Sequence, residues 1–424
     1  MNKMKFNIKL LHLILFLWIL IVALRFDFLV HIFEVLVNYI KLLFSNSRFA
    51  IKQFDFQLFD HFFSLILITL FPFIFYLSRK IRKFLNTRIS ALSVLLLVIL
   101  VFTVFSPLIV TFNPDAHNTI SVTKLLPPFS SRILVEKRTD YKKNDEQEIF
   151  VSSKKSLFSH NINTHSFFAD SIQTGNSITV FQGTKQLNFE KDKIRPQLNR
   201  RFFLFGTDEY GRDIYSRIVY GTRLASLIGL GSVMVSLFLG MLFGIPAGMY
   251  GGLMDSVFSR FSEMFLAFPF LFLIILILAL FGNSILVIIL VLGLSGWMSL
   301  FKIIRGEIIS LKNKDFIISA KLLGFSKTEI FIKEIFPLII SPIIVNIVLQ
   351  FGNVIMAESA LSYLGLGAGD QYSSWGAMIS SGQYYLSRAW WMSFFPSLFL
   401  FLILLTANKF GKDLEKIFNP RVSS

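Results

Sequence analysis

Five stretches of this 424-residue chain carry no charged side chain and are long enough to cross a lipid bilayer as helices. They cover residues 91–112, 224–254, 264–301, 335–357 and 389–408. A crossing helix needs about 20 apolar residues, so the third stretch is too long for one helix. The turn signal Phe281-Gly282-Asn283-Ser284 lies in its middle and divides it in two. The sequence therefore predicts an all-α, polytopic transmembrane helical bundle with six spans in its core.

Two shorter apolar runs near the N-terminus, residues 10–24 and 62–77, predict two further spans. The first run follows Lys3, Lys5 and Lys9, as a secretory signal would, but no small-residue cleavage site follows it. We therefore interpret it as an uncleaved anchor. The predicted domains are an N-terminal extension (1–88), a first core helix (89–112), an insertion (113–205) and a core with five transmembrane helices (206–424).

The loops between the spans predict the orientation, because Lys and Arg of short loops collect on the cytoplasmic side. The loop at 79–88 has five of them and the segment 302–334 has seven, whereas 361–388 has one. Both termini and the segment 302–334 are therefore predicted to be cytoplasmic. The insertion 113–205 is predicted to be extracytoplasmic, since long segments cross regardless of their charge. It contains β-like runs such as 177–182.

The composition excludes several functions. The net charge is +16, but its basic residues are scattered between the spans, which indicates contact with membrane lipid and not with nucleic acid. The chain has no Cys, its six His lie in the first 165 residues, and no G-x-x-x-x-G-K-[ST] phosphate loop occurs. Two fragments mimic intramembrane proteases through Ser295 and Asp370, yet the core spans offer neither a His nor a facing Asp. We predict no catalytic residue and no metal site.

The cytoplasmic segment 302–334 predicts two short helices with a sharp corner between them. Gly324 stands where a left-handed C-terminal cap would end the first helix, and Ser326 with Glu329 makes a capping box for the second, which runs to Pro337. We call residues 315–337 the elbow. Small side chains at Ser319 and Ala320 would let another protein approach its backbone closely. The alternative is a solvated connector without a partner.

Polar residues form one stripe of the predicted fifth core span. Asn346, Gln350 and Asn353 are spaced at i, i+4 and i+7, which places them on one helix face. They either line a hydrated passage or form hydrogen bonds between helices. Glu358 follows them and either recognises a substrate amine or lies at the outer headgroups.

Two further patterns concern packing and the membrane boundary. Glycine recurs every fourth residue from Gly240 to Gly252, which predicts a bare helix face for close packing. Between 210 and 223, three Tyr and three Arg predict a segment at the outer boundary between membrane and water.

The elbow resembles the EAA loop of binding-protein-dependent ABC importer permeases. Ala320 matches the second Ala of that motif, Gly324 its Gly and Pro337 its Pro. Ile318 replaces its Glu and Ser319 its first Ala. The segments 206–223, 358–367 and 374–378 resemble the C-type permease subunit of the peptide and nickel importers, the oligopeptide and dipeptide systems among them.

This resemblance implies the fold and the partners of a type I ABC importer. The chain would be one permease half in a bacterial cytoplasmic membrane, paired with a second permease subunit as a heterodimer. Two cytoplasmic ABC ATPases would use ATP and Mg, an extracytoplasmic substrate-binding protein would deliver the cargo, and this chain would bind no cofactor. The cargo would be a peptide, with nickel or another small solute as the alternative and a secondary transporter as the rival class. The residues implied to contact the ATPase are Ser319, Ala320, Lys321, Gly324, Lys327 and Pro337.

Overall fold

The computed structural model describes residues 10–54, 56–77, 91–110, 114, 119–137, 149–151, 153–154, 157, 166–175, 177–190, 194–267, 269–369 and 372–418. The chain forms two compact units, one of Met1–Arg223 with Ser381–Phe395 and one of Leu224–Ser380 with Pro396–Ser424. Within the described residues, five helices are long and apolar enough to cross a membrane, or six if one bent pair is a single span. They are Phe26–Ser45, Ile214–Tyr250, Ile285–Lys312, Lys327–Tyr363 and Trp391–Lys416.

The first unit begins with more helix than the sequence predicted. Its helices are α1 (Leu10–Leu24), α2 (Phe26–Ser45), α3 (Ser47–Gln53), α4 (Phe56–Leu77) and α5 (Ala91–Ile109). The sequence prediction missed α2 because Asp27, Glu34 and Lys41 interrupt its apolar residues. In the structure those charged residues share one side of the helix. Another side is apolar, and its residues Ile32 and Val35 are fully buried.

Side-chain hydrogen bonds join these N-terminal helices to their neighbours. The indole nitrogen of Trp18 donates to the carbonyl of Ile68 at 2.9 Å. The guanidinium of Arg25, between α1 and α2, donates to the carbonyls of Ile109 and Val110 at 3.3 and 2.7 Å. Carbonyls at the end of a helix have no partner within that helix, so Arg25 caps the C-terminus of α5.

The insertion adds two antiparallel sheets to the otherwise helical chain. A short helix, α6 (Ile120–Thr123), precedes β1 (Ser130–Lys137), β2 (Ser166–Ala169), β3 (Ser171–Thr174), β4 (Ile178–Gln182), β5 (Lys185–Phe189) and β6 (Ile194–Phe203). The strand orders are β2-β1-β6 and β3-β4-β5. The β-like run at 177–182 is thus a strand, and its residues alternate between buried and partly buried, as a half-buried strand requires.

The remaining helices follow the insertion. They are α7 (Ile214–Tyr250), α8 (Gly252–Ala267), α9 (Phe270–Phe281), α10 (Ile285–Lys312), α11 (Asp315–Leu322), α12 (Lys327–Ile330), α13 (Phe336–Tyr363), α14 (Trp375–Gln383) and α15 (Trp391–Phe418). A π-helical turn, Phe331–Ile335, joins α12 to α13.

The long apolar stretch 264–301 breaks where the turn signal predicted, and a second time where it did not. Gly282 has a φ of +80°, and the Ser284 hydroxyl caps α10 by accepting from the backbone N–H of Val287. Before this break, α8 and α9 meet at an 88° bend instead of forming one straight span. Pro269 precedes α9, and a proline disfavours helical geometry in the residue before it.

The glycine ridge of α7 packs against α10. A β-carbon added at Gly240 would lie 2.7 Å from the side chain of Leu300, and one at Gly248 would lie 2.8 Å from that of Ile308. Real β-carbons essentially never come this close, so only glycine fits. Gly252, the fourth glycine of the pattern, lies beyond α7 as the first residue of α8, with a φ of +56° and open space around it.

Candidate functional site

The elbow has the predicted corner between two helices. Gly324 has a φ of +84°, and the N–H of Phe325 donates to the carbonyl of Ala320 at 3.2 Å, which closes the end of α11. Ser326 and Glu329 form both hydrogen bonds of the capping box at the start of α12. The cytoplasmic segment was predicted to begin at residue 302. In the structure the preceding helix, α10, continues to Lys312.

The elbow has a buried inner side and an exposed apolar outer side. Ile317 and Ile330 are buried in a core that also contains Ile304 and Ile308 of α10. On the outer side, Leu322 is 84% exposed and Leu323 is 78% exposed. Large apolar side chains that are exposed side by side indicate a surface that another protein or lipid covers.

The elbow residues that were predicted to contact an ATPase lie around this apolar surface. Ser319, Lys321, Gly324 and Lys327 are exposed, and Ala320 is half-buried. The ammonium of Lys327 lies 5.2 Å from the ring centre of Tyr250, which is a cation–π distance within the chain. Nothing lies within 4 Å of a β-carbon added at Gly324, so a partner could reach this corner.

Pro337 lies on the other arm of the elbow, directly after the π-helical turn. It is exposed and is the second residue of α13. A proline has no N–H to donate, so it interrupts the helical hydrogen bonds at this point, where the π-helical turn has already displaced them. The wide turn and the proline together mark the place where the elbow joins the membrane helix.

The predicted polar stripe of α13 divides into side chains with different surroundings. The Gln350 amide donates to the hydroxyl of Ser236 at 2.7 Å, and that hydroxyl donates to the carbonyl of Gly293 at 2.6 Å. A β-carbon at Gly296 would overlap Gln350 at 1.6 Å. Gln350 therefore joins α13 to α7 and α10, as the interhelical alternative describes. Asn346 donates weakly to Ser299 at 3.4 Å, whereas Asn353 is exposed.

Glu358 is enclosed by protein and not exposed at the surface of the chain. Its side chain is buried, and its carboxylate accepts from the hydroxyls of Ser362 at 2.7 Å and Ser374 at 3.0 Å. Ser374 directly precedes α14, so this carboxylate fastens the segment before α14 to the end of α13. Close packing supports the same contact, since a β-carbon at Gly376 would lie 2.0 Å from the carbonyl of Ser359.

The stripe yields a prediction that separates its two proposed roles. We expect Gln350→Leu to lower the stability of the solubilised chain, because it leaves the Ser236 hydroxyl without its side-chain donor and loses one interhelical hydrogen bond, about 1 kcal/mol. We expect Asn353→Leu to leave stability unchanged and to lower transport. Thermal unfolding and transport are measured for both variants. Equal transport in Asn353→Leu and the unmodified chain would contradict a role for Asn353 in the passage.

A buried ion cluster lies in the segment before α7 and in the first turns of that helix. The carboxylate of Asp208 accepts from Nε of Arg212 at 2.7 Å and from Nη1 of Arg217 at 2.9 Å, and all three side chains are buried. Asp213 accepts from the backbone N–H of Ser216 at 2.9 Å and so caps α7. Burial raises the pKa of Asp213 to about 6. The sequence interpretation of 210–223 as a segment at the outer membrane boundary did not include the pairing of its arginines with Asp208.

The fragment around Ser295 that mimics a serine protease shows no catalytic arrangement among the described residues. The hydroxyl of Ser295 donates to the carbonyl of Leu292 in its own helix. Asp370 lies outside the described residues. Among the residues that the structure describes, no group of three or more His, Cys, Asp or Glu could hold a metal ion.

Comparison with known proteins gives the family. The family model described as "Binding-protein-dependent transport system inner membrane component" matches residues 240–424. The oligopeptide transport system permease protein OppC of Haemophilus influenzae is 36% identical over 220 residues, which are 52% of this chain and 71% of that protein. The dipeptide transport system permease protein DppC of Bacillus subtilis is 35% identical over 219 residues, 51% of this chain and 68% of that protein.

Other relatives agree with these two. OppC of Escherichia coli K12 is 37% identical over 217 residues, 51% of this chain and 72% of that protein. A solved structure titled for inward-facing conformations of the MetNI methionine ABC transporter covers 44% of this chain and 93% of its own, with 15% identity and a TM-score of 0.35. That likeness is slight, so the family assignment rests on the sequence relatives. The resemblance inferred from the elbow and from segments 206–223, 358–367 and 374–378 is confirmed: this chain belongs to the family of inner membrane components of binding-protein-dependent transport systems.

Proposed function

We propose that this chain is one permease half of an ATP-driven importer that moves peptides across a bacterial cytoplasmic membrane. The single observation that carries the coupling role is the elbow, with Leu322 and Leu323 exposed beside an open Gly324. The printed functions of the relatives, oligopeptide and dipeptide transport, support a peptide cargo.

The elbow is packed firmly against α10 and can therefore transmit movement. Its inner side is held by Ile317 and Ile330 in the core with α10, so a force on its outer side reaches the membrane helices and is not absorbed by a flexible loop. We propose that Ser319, Ala320, Lys321, Gly324 and Lys327 contact a separate cytoplasmic ATPase, and that Pro337 marks the start of the helix that moves. ATP and Mg would be used by that ATPase.

The remaining partners follow from the same proposal. A second permease subunit would complete the passage, in which the exposed Asn353 faces cargo, and an extracytoplasmic binding protein would deliver that cargo. The termini and the elbow would lie in the cytoplasm, and the insertion outside. The chain has no Cys, so single cysteines introduced at Asn313 and Leu187 can test this orientation with a membrane-impermeant maleimide.

The decisive experiment is purification from native membranes followed by a transport assay. We expect the tagged chain to copurify with ATP-binding subunits, and vesicles containing the complex to accumulate labelled di- to pentapeptides only with ATP. Nickel accumulation without peptide accumulation would assign the cargo to the alternative class. Accumulation of cargo without any ATPase would contradict the whole proposal.

A further inference from the structure

Two exposed phenylalanines meet at one end of the sheet β2-β1-β6. Phe129 is 67% exposed and Phe202 is 52% exposed, and their ring centres are 6.1 Å apart. Ser130 pairs with Phe203 at the end where β1 begins and β6 finishes, so both rings lie at that end. Two adjacent aromatic rings form an apolar patch that is unfavourable in water.

The backbone holds Phe129 in a conformation that favours glycine. Its φ is +63°, and a side chain in this left-handed region costs about 1–2 kcal/mol. The N–H of Phe129 donates to the carbonyl of Phe203 at 2.9 Å, and the N–H of Leu126 donates to the hydroxyl of Thr207 at 2.8 Å. These bonds fix the turn between α6 and β1. The fold thus maintains a strained residue whose ring points away from the core.

This end of the sheet lies close to the place where two membrane helices begin. Phe205 stacks on Phe395 of α15, with ring centres 4.2 Å apart, and its ring centre lies 5.6 Å from that of Tyr215 in the first turn of α7. Phe202 is three residues from Phe205, a distance of at most about 10 Å along the chain. The exposed rings are therefore near the level at which α7 and α15 begin.

The start of α15 has the residues of a boundary between membrane and water. Trp390 is 52% exposed and Phe394 is half exposed, with ring centres 5.5 Å apart. The indole nitrogen of Trp391 donates to the carbonyl of Thr207 at 3.1 Å, which ties this boundary to the segment after β6. Aromatic residues collect at the headgroup level of a bilayer. The segment after β6 therefore connects the apolar patch of the sheet to this aromatic zone.

An exposed cation accompanies the rings. Arg200 precedes Phe202 by two residues, so both side chains leave β6 on the same face. A guanidinium binds phosphate through paired hydrogen bonds. Apolar rings with an arginine beside them match the chemistry of a phospholipid surface, whose acyl chains lie under phosphate groups.

We propose that Phe129, Phe202 and Arg200 form a lipid-contacting face that holds this end of the insertion on the bilayer. The two rings enter the upper acyl region, and Arg200 binds headgroup phosphate. The occupant is phospholipid, and the surface of a partner protein is the alternative that the experiment must exclude.

The absence of Cys from the chain gives a direct test. Single cysteines replace Phe202 or, as the matched control, Leu187, which is exposed on β5 of the other sheet. Each is labelled with an NBD fluorophore in the full chain, with its copurified subunits, in nanodiscs of phosphatidylethanolamine and phosphatidylglycerol. Quenching is measured with a lipid that carries a nitroxide near its headgroup and, separately, with aqueous iodide. Arg200→Cys repeats the measurement if Phe202→Cys does not fold.

We expect NBD at position 202 to emit at shorter wavelength than at 187, and to lose most of its emission to the nitroxide lipid and little to iodide. Position 187 should show the reverse. Equal iodide quenching at both positions would overturn the proposal, since it would place the ring in water. Protection of position 202 from both quenchers would also overturn it, because a protein surface would then cover the patch.

Discussion

Gly324→Asp is expected to leave the chain inserted in the membrane and to reduce both transport and stimulation of ATPase activity at least about tenfold, the equivalent of ~1.4 kcal/mol of coupling. The substitution places a carboxylate at an open corner between the exposed Leu322 and Leu323 and the capping box. A partner surface that covers the two leucines would have to bury this charge, which is strongly unfavourable without a cation. The measurements are the amount of inserted chain, ATP hydrolysis and peptide uptake.

Gly324→Asn is the matched control for this substitution. Asn has nearly the shape of Asp, and both tolerate the left-handed backbone that Gly324 adopts at a φ of +84°, so the two variants share their backbone strain. We expect Gly324→Asn to retain much more coupling than Gly324→Asp. Equal coupling in Gly324→Asp and the unmodified complex would show that the corner does not contact the ATPase.

Asp208→Ala is expected to destabilise the first unit by about 3–5 kcal/mol, which is enough to unfold many domains. The substitution leaves the guanidinium groups of Arg212 and Arg217 buried without their carboxylate. Breaking a buried pair from one side costs far more than the pair contributes in net stability, because the remaining charges stay removed from water after losing this carboxylate. We expect little chain to survive extraction as a single species in size-exclusion chromatography.

Two other variants define the cause of that loss. Asp208→Asn keeps an oxygen acceptor for the N–H groups of Tyr210 and Arg212 and should be intermediate. Glu263→Ala removes an exposed ion pair with Arg260 and should change stability little. If Asp208→Ala is as stable as Glu263→Ala, the buried cluster is not what holds this segment.

Local patterns in the sequence predicted the elbow well. A left-handed glycine and a capping box each depend on neighbours within about five residues, and both are present at Gly324 and at Ser326 with Glu329. The glycine ridge of α7 was also predicted, because residues spaced four apart lie on one helix face. These features follow from backbone geometry, which short sequences determine.

Features that depend on residues far apart in the sequence were harder to predict. The sequence predicted that Gln350 belongs to a polar stripe. It did not predict that Gln350 bonds to Ser236 of α7 and packs against Gly296 of α10. Asp208 and its two arginines were visible as charges, but their burial depends on how the segment folds onto itself. Helix α2 was missed because its charges follow one face, and a search for charge-free runs ignores direction around the helix axis.

The hydrogen bonds from Arg25 make the end of α5 depend on the residue between α1 and α2. The guanidinium of Arg25 completes the end of α5, so the N-terminal helices contribute to the electrostatic support of that helix. Deleting them would leave the carbonyls of Ile109 and Val110 without this donor. The last turn of α5 would then be prone to fray, so a shortened chain is expected to lose order at Ile109 and Val110 as well as the helices removed.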